Sequence, residues 1–152
     1  MKKLAALAMT GAIVGGSLLV TTTPAAAEEF VSWKPYGNIN PITSSSSTWS
    51  CNSSREIAPN VVAQVCSIRS PSRGSVQGAV IVRNNRLATF LTTAEVDLAT
   101  STLVELGYWK CRSSGVGPKS WSVCFGETIS YSGWVNSGGL AGGISLGISP
   151  GV

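Results

Sequence analysis

Four cysteines, seven carboxylates and no histidine are the side chains from which this chain would have to build any chemistry. Without histidine there is no Ser-His or Cys-His nucleophilic pair and no imidazole base, so hydrolysis by a triad is excluded. Zinc is disfavoured on the same ground and by spacing. Cys51 and Cys66 lie 15 positions apart, Cys111 and Cys124 lie 13 apart, and there is no CxxC pair. No metal and no cofactor are expected. Two carboxylates can cleave a glycosidic bond, and Glu95 and Asp97 would share one face of an extended segment. Two acids on a polar strand are also ordinary surface, and the expectation is a protein without enzymatic activity.

The cysteines make sense as staples if the chain is exported, and its first residues carry that pattern. Lys2 and Lys3 precede an apolar run of 17 residues, Leu4 to Val20, and Ala25-Ala26-Ala27 supplies the small residues of a cleavage site. Residues 1–27 are therefore expected to be a cleaved signal peptide. A retained anchor needs about 20 apolar residues, and a lipid anchor needs a cysteine directly after the run, whereas the first cysteine is Cys51. In an exported chain an even cysteine count implies two disulfides. Of the three connectivities, Cys51 with Cys66 and Cys111 with Cys124 is favoured, because each pair flanks a turn-rich segment between two strand-like runs. Each closed loop would restrict the unfolded chain by roughly 3 kcal/mol.

Removal of the signal leaves nine basic and seven acidic residues, a net charge of +2 in place of +4. The basic residues are scattered, which is not a nucleic-acid footprint. About 125 residues remain, enough for one domain with a modest core. Residues 28–47, with Pro35, Gly37, Pro41 and the run Ser44 to Ser47, are expected to be a flexible leader, and residues 48–152 the packed domain.

Strand patterns fill that domain. Thr48 to Ser53 and Asn60 to Arg69 are expected as the first two strands, and Ser70 to Gly74 as a turn. Val76 to Arg83 and Arg86 to Thr93 flank Asn84-Asn85, a pair suited to a two-residue hairpin turn. Val104, Leu106 and Tyr108 are expected on one face. Trp121, Val123, Phe125, Ile129 and Tyr131 share another, which also receives Glu127 unless Gly126 marks a bulge that turns the acid outward. From Gly138 to Val152, Leu140, Ile144, Leu146 and Ile148 fall on even positions and small residues on odd ones, the pattern of a final strand with one buried face. Short strands, turns and two staples predict an all-β fold, a small antiparallel β-sandwich with Ig-like or Greek-key connections, with a small barrel as the alternative.

The export signal, Trp49-Ser50-Cys51, Val65-Cys66, the valine-rich strand ending in Asn84-Asn85, and Val123-Cys124-Phe125-Gly126 resemble small secreted two-disulfide proteins of actinobacteria. The resemblance spans roughly Trp49 to Tyr131. It implies location and fold, and transfers no site.

Function is expected to be surface contact with an extracellular or cell-envelope partner, such as a cell-wall polysaccharide or another secreted protein. Aromatic rings stack on sugar faces, which makes Trp33, Trp49, Trp134 and Tyr36 candidate contact residues, while Trp109 and Trp121 are expected in the core beside the disulfides. One alternative is a protease inhibitor whose Cys111–Cys124 loop displays Arg112 and Lys119, since a pre-organised loop loses less entropy on docking. Another is an antagonistic protein that uses the glycine-rich end against membranes, although membrane contact after signal cleavage is not the favoured expectation. Asn52-Ser53-Ser54 matches a glycosylation sequon, a short match taken as chance.

Overall fold

The computed structural model describes residues 28–152, so the expected signal peptide lies outside the described residues. Twelve strands follow in chain order: β1 (Glu29–Val31), β2 (Trp33–Gly37), β3 (Thr48–Cys51), β4 (Arg55–Ala58), β5 (Val61–Arg69), β6 (Ser75–Asn84), β7 (Phe90–Thr100), β8 (Glu105–Val116), β9 (Ser120–Phe125), β10 (Ile129–Ser130), β11 (Val135–Ala141) and β12 (Ile144–Ile148). They form two sheets, ordered β1-β8-β7-β11-β12 and β2-β9-β6-β5-β3, with β10 added to β6 and β4 to β5. The fold is the expected all-β sandwich. Every pairing is antiparallel except β1 on β8, which is parallel.

The main core lies between the sheets. Val61, Val65, Val80 and Val82 of one sheet meet Val96, Leu98, Trp109 and Val135 of the other, all buried. Strands β5 and β6 also bury their second face. Ile68, Ala79, Ile81 and Val123 form a smaller cluster there, capped by Tyr36, Ile42, Trp49, Trp121 and Phe125. Burial on both faces explains why these strands read as nearly continuous apolar runs.

Both disulfides take the expected pairing. Cys51 and Cys66 face each other across adjacent strands β3 and β5. Cys111 of β8 and Cys124 of β9 tie one sheet to the other through the core. Trp109 lies next to this bridge in sequence, in a slot walled by Gly107 and Gly126. A Cβ on either glycine would come within 2.2 Å or 2.3 Å of its ring atoms.

Five expectations are corrected. Residues 28–47 are not a flexible leader: β1 pairs with β8, β2 pairs with β9, and Ser32 alone carries the chain from one sheet to the other. Val31 and Trp33 pack on the core, and Pro41 and Ile42 cover the second face of the larger sheet, because apolar burial there outweighs the proline and serine content.

Asn84-Asn85 is not a hairpin turn. β6 and β7 belong to different sheets, and each already has partners on both edges. Asn84 is fully buried at the crossover, where its amide donates to the carbonyls of Ala88 at 2.8 Å and Val116 at 2.9 Å, and its Oδ1 accepts the Arg86 N–H. The side chain thus supplies the hydrogen bonds that a hairpin ladder would have made.

In β8 Gly107, Trp109, Cys111 and Val116 are buried, Tyr108 faces outward, Leu106 is half-buried against the main core, and Val104 lies exposed before the strand, so the three do not share one face. The C-terminal segment is a hairpin in place of one strand. Gly142 and Gly143, at φ +55° and +79°, turn β11 into β12; Leu146 is buried, while Ile148 stays 66% exposed. β9 ends at Phe125, which leaves Glu127 exposed and Ile129 and Tyr131 on the main core.

Candidate functional site

The two sandwich faces differ. The outer face of the larger sheet is roofed by the aromatic cluster and the chain around Ile42, whereas the outer face of the five-stranded sheet carries a groove of about 360 Å³ lined by Glu95, Asp97, Glu105, Tyr108, Gly138, Leu140 and Ile148, among others.

Strand alternation and register build this groove in two rows. Side chains opposite one another on neighbouring strands fall side by side on the same face. One row runs Tyr108, Asp97, Gly138, Ile148 across β8, β7, β11 and β12; the next runs Lys110, Glu95, Leu140, Ser145. A Cβ on Gly138 would lie 2.4 Å from Asp97 Oδ1, so a side chain there would displace the carboxylate from its place over the strand. The floor is therefore low where the Asp97 carboxylate crosses the strand. Gly147, at φ +75°, occupies a conformation that favours glycine.

The Tyr108 hydroxyl donates to the Glu95 carboxylate and links the rows diagonally. Lys110 Nζ sits 3.0 Å from Glu28 and 3.7 Å from Glu95, and 5.5 Å from the Tyr108 ring centroid. Of the three groove carboxylates only Glu95 lies within ion-pair distance of this ammonium, which is shared with Glu28, so the groove carries an excess of negative charge. Burial and then the bond to Glu95 push the Tyr108 phenol above its ordinary value of 10.0; the Lys110 ammonium partly opposes this. Lys110 is itself raised, chiefly by Glu28.

Both shifts bind protons more tightly in the fold, so their stabilisation is present below the unfolded values and is lost as pH rises through the folded ones. Absorbance titration is expected to show a phenol ionising above the ordinary range, lowered by Glu95→Gln. The urea midpoint of the wild type should fall more steeply above pH 10 than that of Tyr108→Phe. Equal slopes would remove the Tyr108 contribution.

The structure disperses the residues expected to form a binding surface. Trp33 Nε1 donates to the Arg112 carbonyl at 2.8 Å, bridging the sheets. Trp49 and Tyr36 do come together, on either side of Phe125. Their rings lie at 66° and 53° to it, which is edge and tilted packing and forms no coplanar platform for a sugar. Trp134 is exposed elsewhere, its indole seated on Gly151. Trp109 is buried as expected, whereas Trp121 is only half-buried, with Arg83 over its ring.

The chain between Cys111 and Cys124 does not project. It consists of the end of β8, a three-residue turn and β9. Arg112 lies over the Phe30 ring at 4.1 Å, and Lys119 donates from Nζ to the Asn85 carbonyl. Among the described residues no group of three or more His, Cys, Asp or Glu side chains is arranged to hold a metal ion.

Sequence reasoning singled out Glu95 and Asp97 but missed Tyr108 and Gly138. The signal was present for Tyr108: Cys111 must face the core to reach Cys124, so Trp109 and Gly107 before it also point inward and Tyr108 and Lys110 point out. Gly138 becomes legible only once Asp97 is known to be its neighbour. No family model matches the chain, and no curated protein matches it.

Proposed function

We propose that the protein is a secreted, non-catalytic domain that binds an extracellular or cell-wall glycan in the groove of the five-stranded sheet. The observation that carries this reading is the pair of crosswise rows, in which an aromatic ring, aliphatic side chains and carboxylates converge over glycines on an uncovered sheet face. Carboxylates accept pairs of sugar hydroxyls, Tyr108 and Leu140 offer apolar contact to ring carbons, and Gly138 leaves room for the Asp97 carboxylate to lie across the strand. The excess of negative charge opposes anionic polymers and favours a neutral or amine-bearing glycan. Two disulfides support an oxidising compartment, in keeping with the export pattern of residues 1–27.

The test is retention of the purified mature protein on peptidoglycan, chitin, cellulose and chitosan. Retention on at least one is expected, without release of reducing sugar. Asp97→Asn and Tyr108→Ala should each weaken it by about ten-fold or more, the effect of losing a hydrogen bond to a charged group or an aromatic contact. Failure of the wild type to bind any of the four, or variants that bind as well as the wild type, would overturn the proposal.

A further inference from the structure

At the end of the sandwich where β6 passes to β7, Leu87 is 86% exposed and Leu91, at the start of β7, is 69% exposed. Three cations accompany them, and each is held by backbone carbonyls. Arg83 Nη1 donates to the Lys119 carbonyl at 2.8 Å, Arg86 Nε to that of Pro59 at 2.8 Å, and Lys119 Nζ to that of Asn85. None of the three has a carboxylate within ion-pair distance among the described residues. Glu56, on the neighbouring β4, accepts the Asn60 N–H at 3.2 Å. Lys119 is held at φ +51°, a conformation unfavourable for a side chain with a Cβ.

We propose that this end of the domain docks on an anionic lipid bilayer. Charge complementarity supplies the occupant: three cations without acidic partners gather at the connection that bares Leu87, and Leu91 is bare on the strand that follows it. Leu87 projects from the β6–β7 connection and Leu91 from the start of β7, and neither lines the groove described above, so a soft interface can accept them, whereas a protein partner would need a matching pocket. Basic residues are drawn to anionic headgroups while apolar side chains enter the acyl boundary. The site shares no residue with the glycan groove and does not depend on that reading.

The experiment is cosedimentation of the mature protein with phosphatidylcholine vesicles, with and without phosphatidylglycerol. Binding is expected only to the anionic vesicles and should weaken as salt rises. Arg83→Gln, Arg86→Gln and Lys119→Gln should each weaken it by about five-fold. Leu87→Ser, a change at an exposed position that leaves the thermal midpoint in place, should reduce binding at every salt concentration, while Tyr108→Ala should bind vesicles as the wild type does. Absence of binding to anionic vesicles overturns the proposal. So does binding that depends on the cations but not on Leu87 and is equalled by soluble poly(glycerol phosphate), which would identify an anionic polymer as the partner.

Discussion

Trp109→Ala is expected to destabilise the domain by about 3–5 kcal/mol, the usual cost of removing a buried large aromatic. Trp109 is 2% exposed, and its ring fills the slot between Gly107 and Gly126 in the main core. Because neither glycine has a side chain that could move into the vacated volume, relaxation is limited and the loss should fall in the upper part of that range. The reciprocal change, Gly126→Ala, would set a Cβ 2.3 Å from the ring. Gly126 cannot easily retreat, since its N–H donates to the Gly78 carbonyl at 2.9 Å, and overpacking of about 1–3 kcal/mol is expected. Against a total of about 5–15 kcal/mol, Trp109→Ala would leave a marginal fold. Urea unfolding followed by circular dichroism measures both, and a loss below about 1 kcal/mol for Trp109→Ala would contradict the slot as a main element of stability.

Removing the Cys111–Cys124 bridge is expected to cost about 3–5 kcal/mol, and removing Cys51–Cys66 about 2–3 kcal/mol. Loop lengths do not distinguish them, since the sequence separations are 13 and 15 and the chain-entropy model assigns roughly 3 kcal/mol to each. Their surroundings do. Cys51–Cys66 joins strands that a ladder already holds together, from Thr48 opposite Arg69 to Cys51 opposite Cys66. Cys111–Cys124 joins β8 to β9, which lie in different sheets with no ladder between them, and both cysteines are buried in the main core. The double alanine variants, compared by urea unfolding, should rank in this order, and a reversed rank would show that the tie between sheets adds nothing beyond loop closure.

Much of the fold was legible because it depends on neighbours in sequence. Valine content identified β5 and alternation β9, and the turn-rich segments between the cysteines favoured the disulfide pairing that the structure shows. Errors arose where a local signal competed with a distant partner. Asn84-Asn85 has turn chemistry, but the partners of Asn84 are the carbonyls of Ala88 and Val116, the second more than thirty residues away. Proline and serine in 28–47 suggested a leader, yet Val31 and Trp33 find the core through strands β8 and β9. In the groove, Glu95 and Asp97 were recognisable as acids on one face. Their neighbours Tyr108, Gly138 and Leu140 come from strands whose order in the sheet is not encoded by any short pattern.

By itself the sequence determined an all-β domain with cysteines for two disulfides, whose pairing it favoured without fixing, and an acid pair on one strand face, while the missing histidine left no imidazole base for a triad. These are properties of composition and of period-two patterning within single segments. Only the tertiary structure decided which sheet each strand joins, which face of β8 points inward, and that one sheet face is roofed while the other is left open. Those outcomes depend on contacts between segments far apart in the chain, where burial of apolar surface selects one pairing among many that local patterns allow equally well.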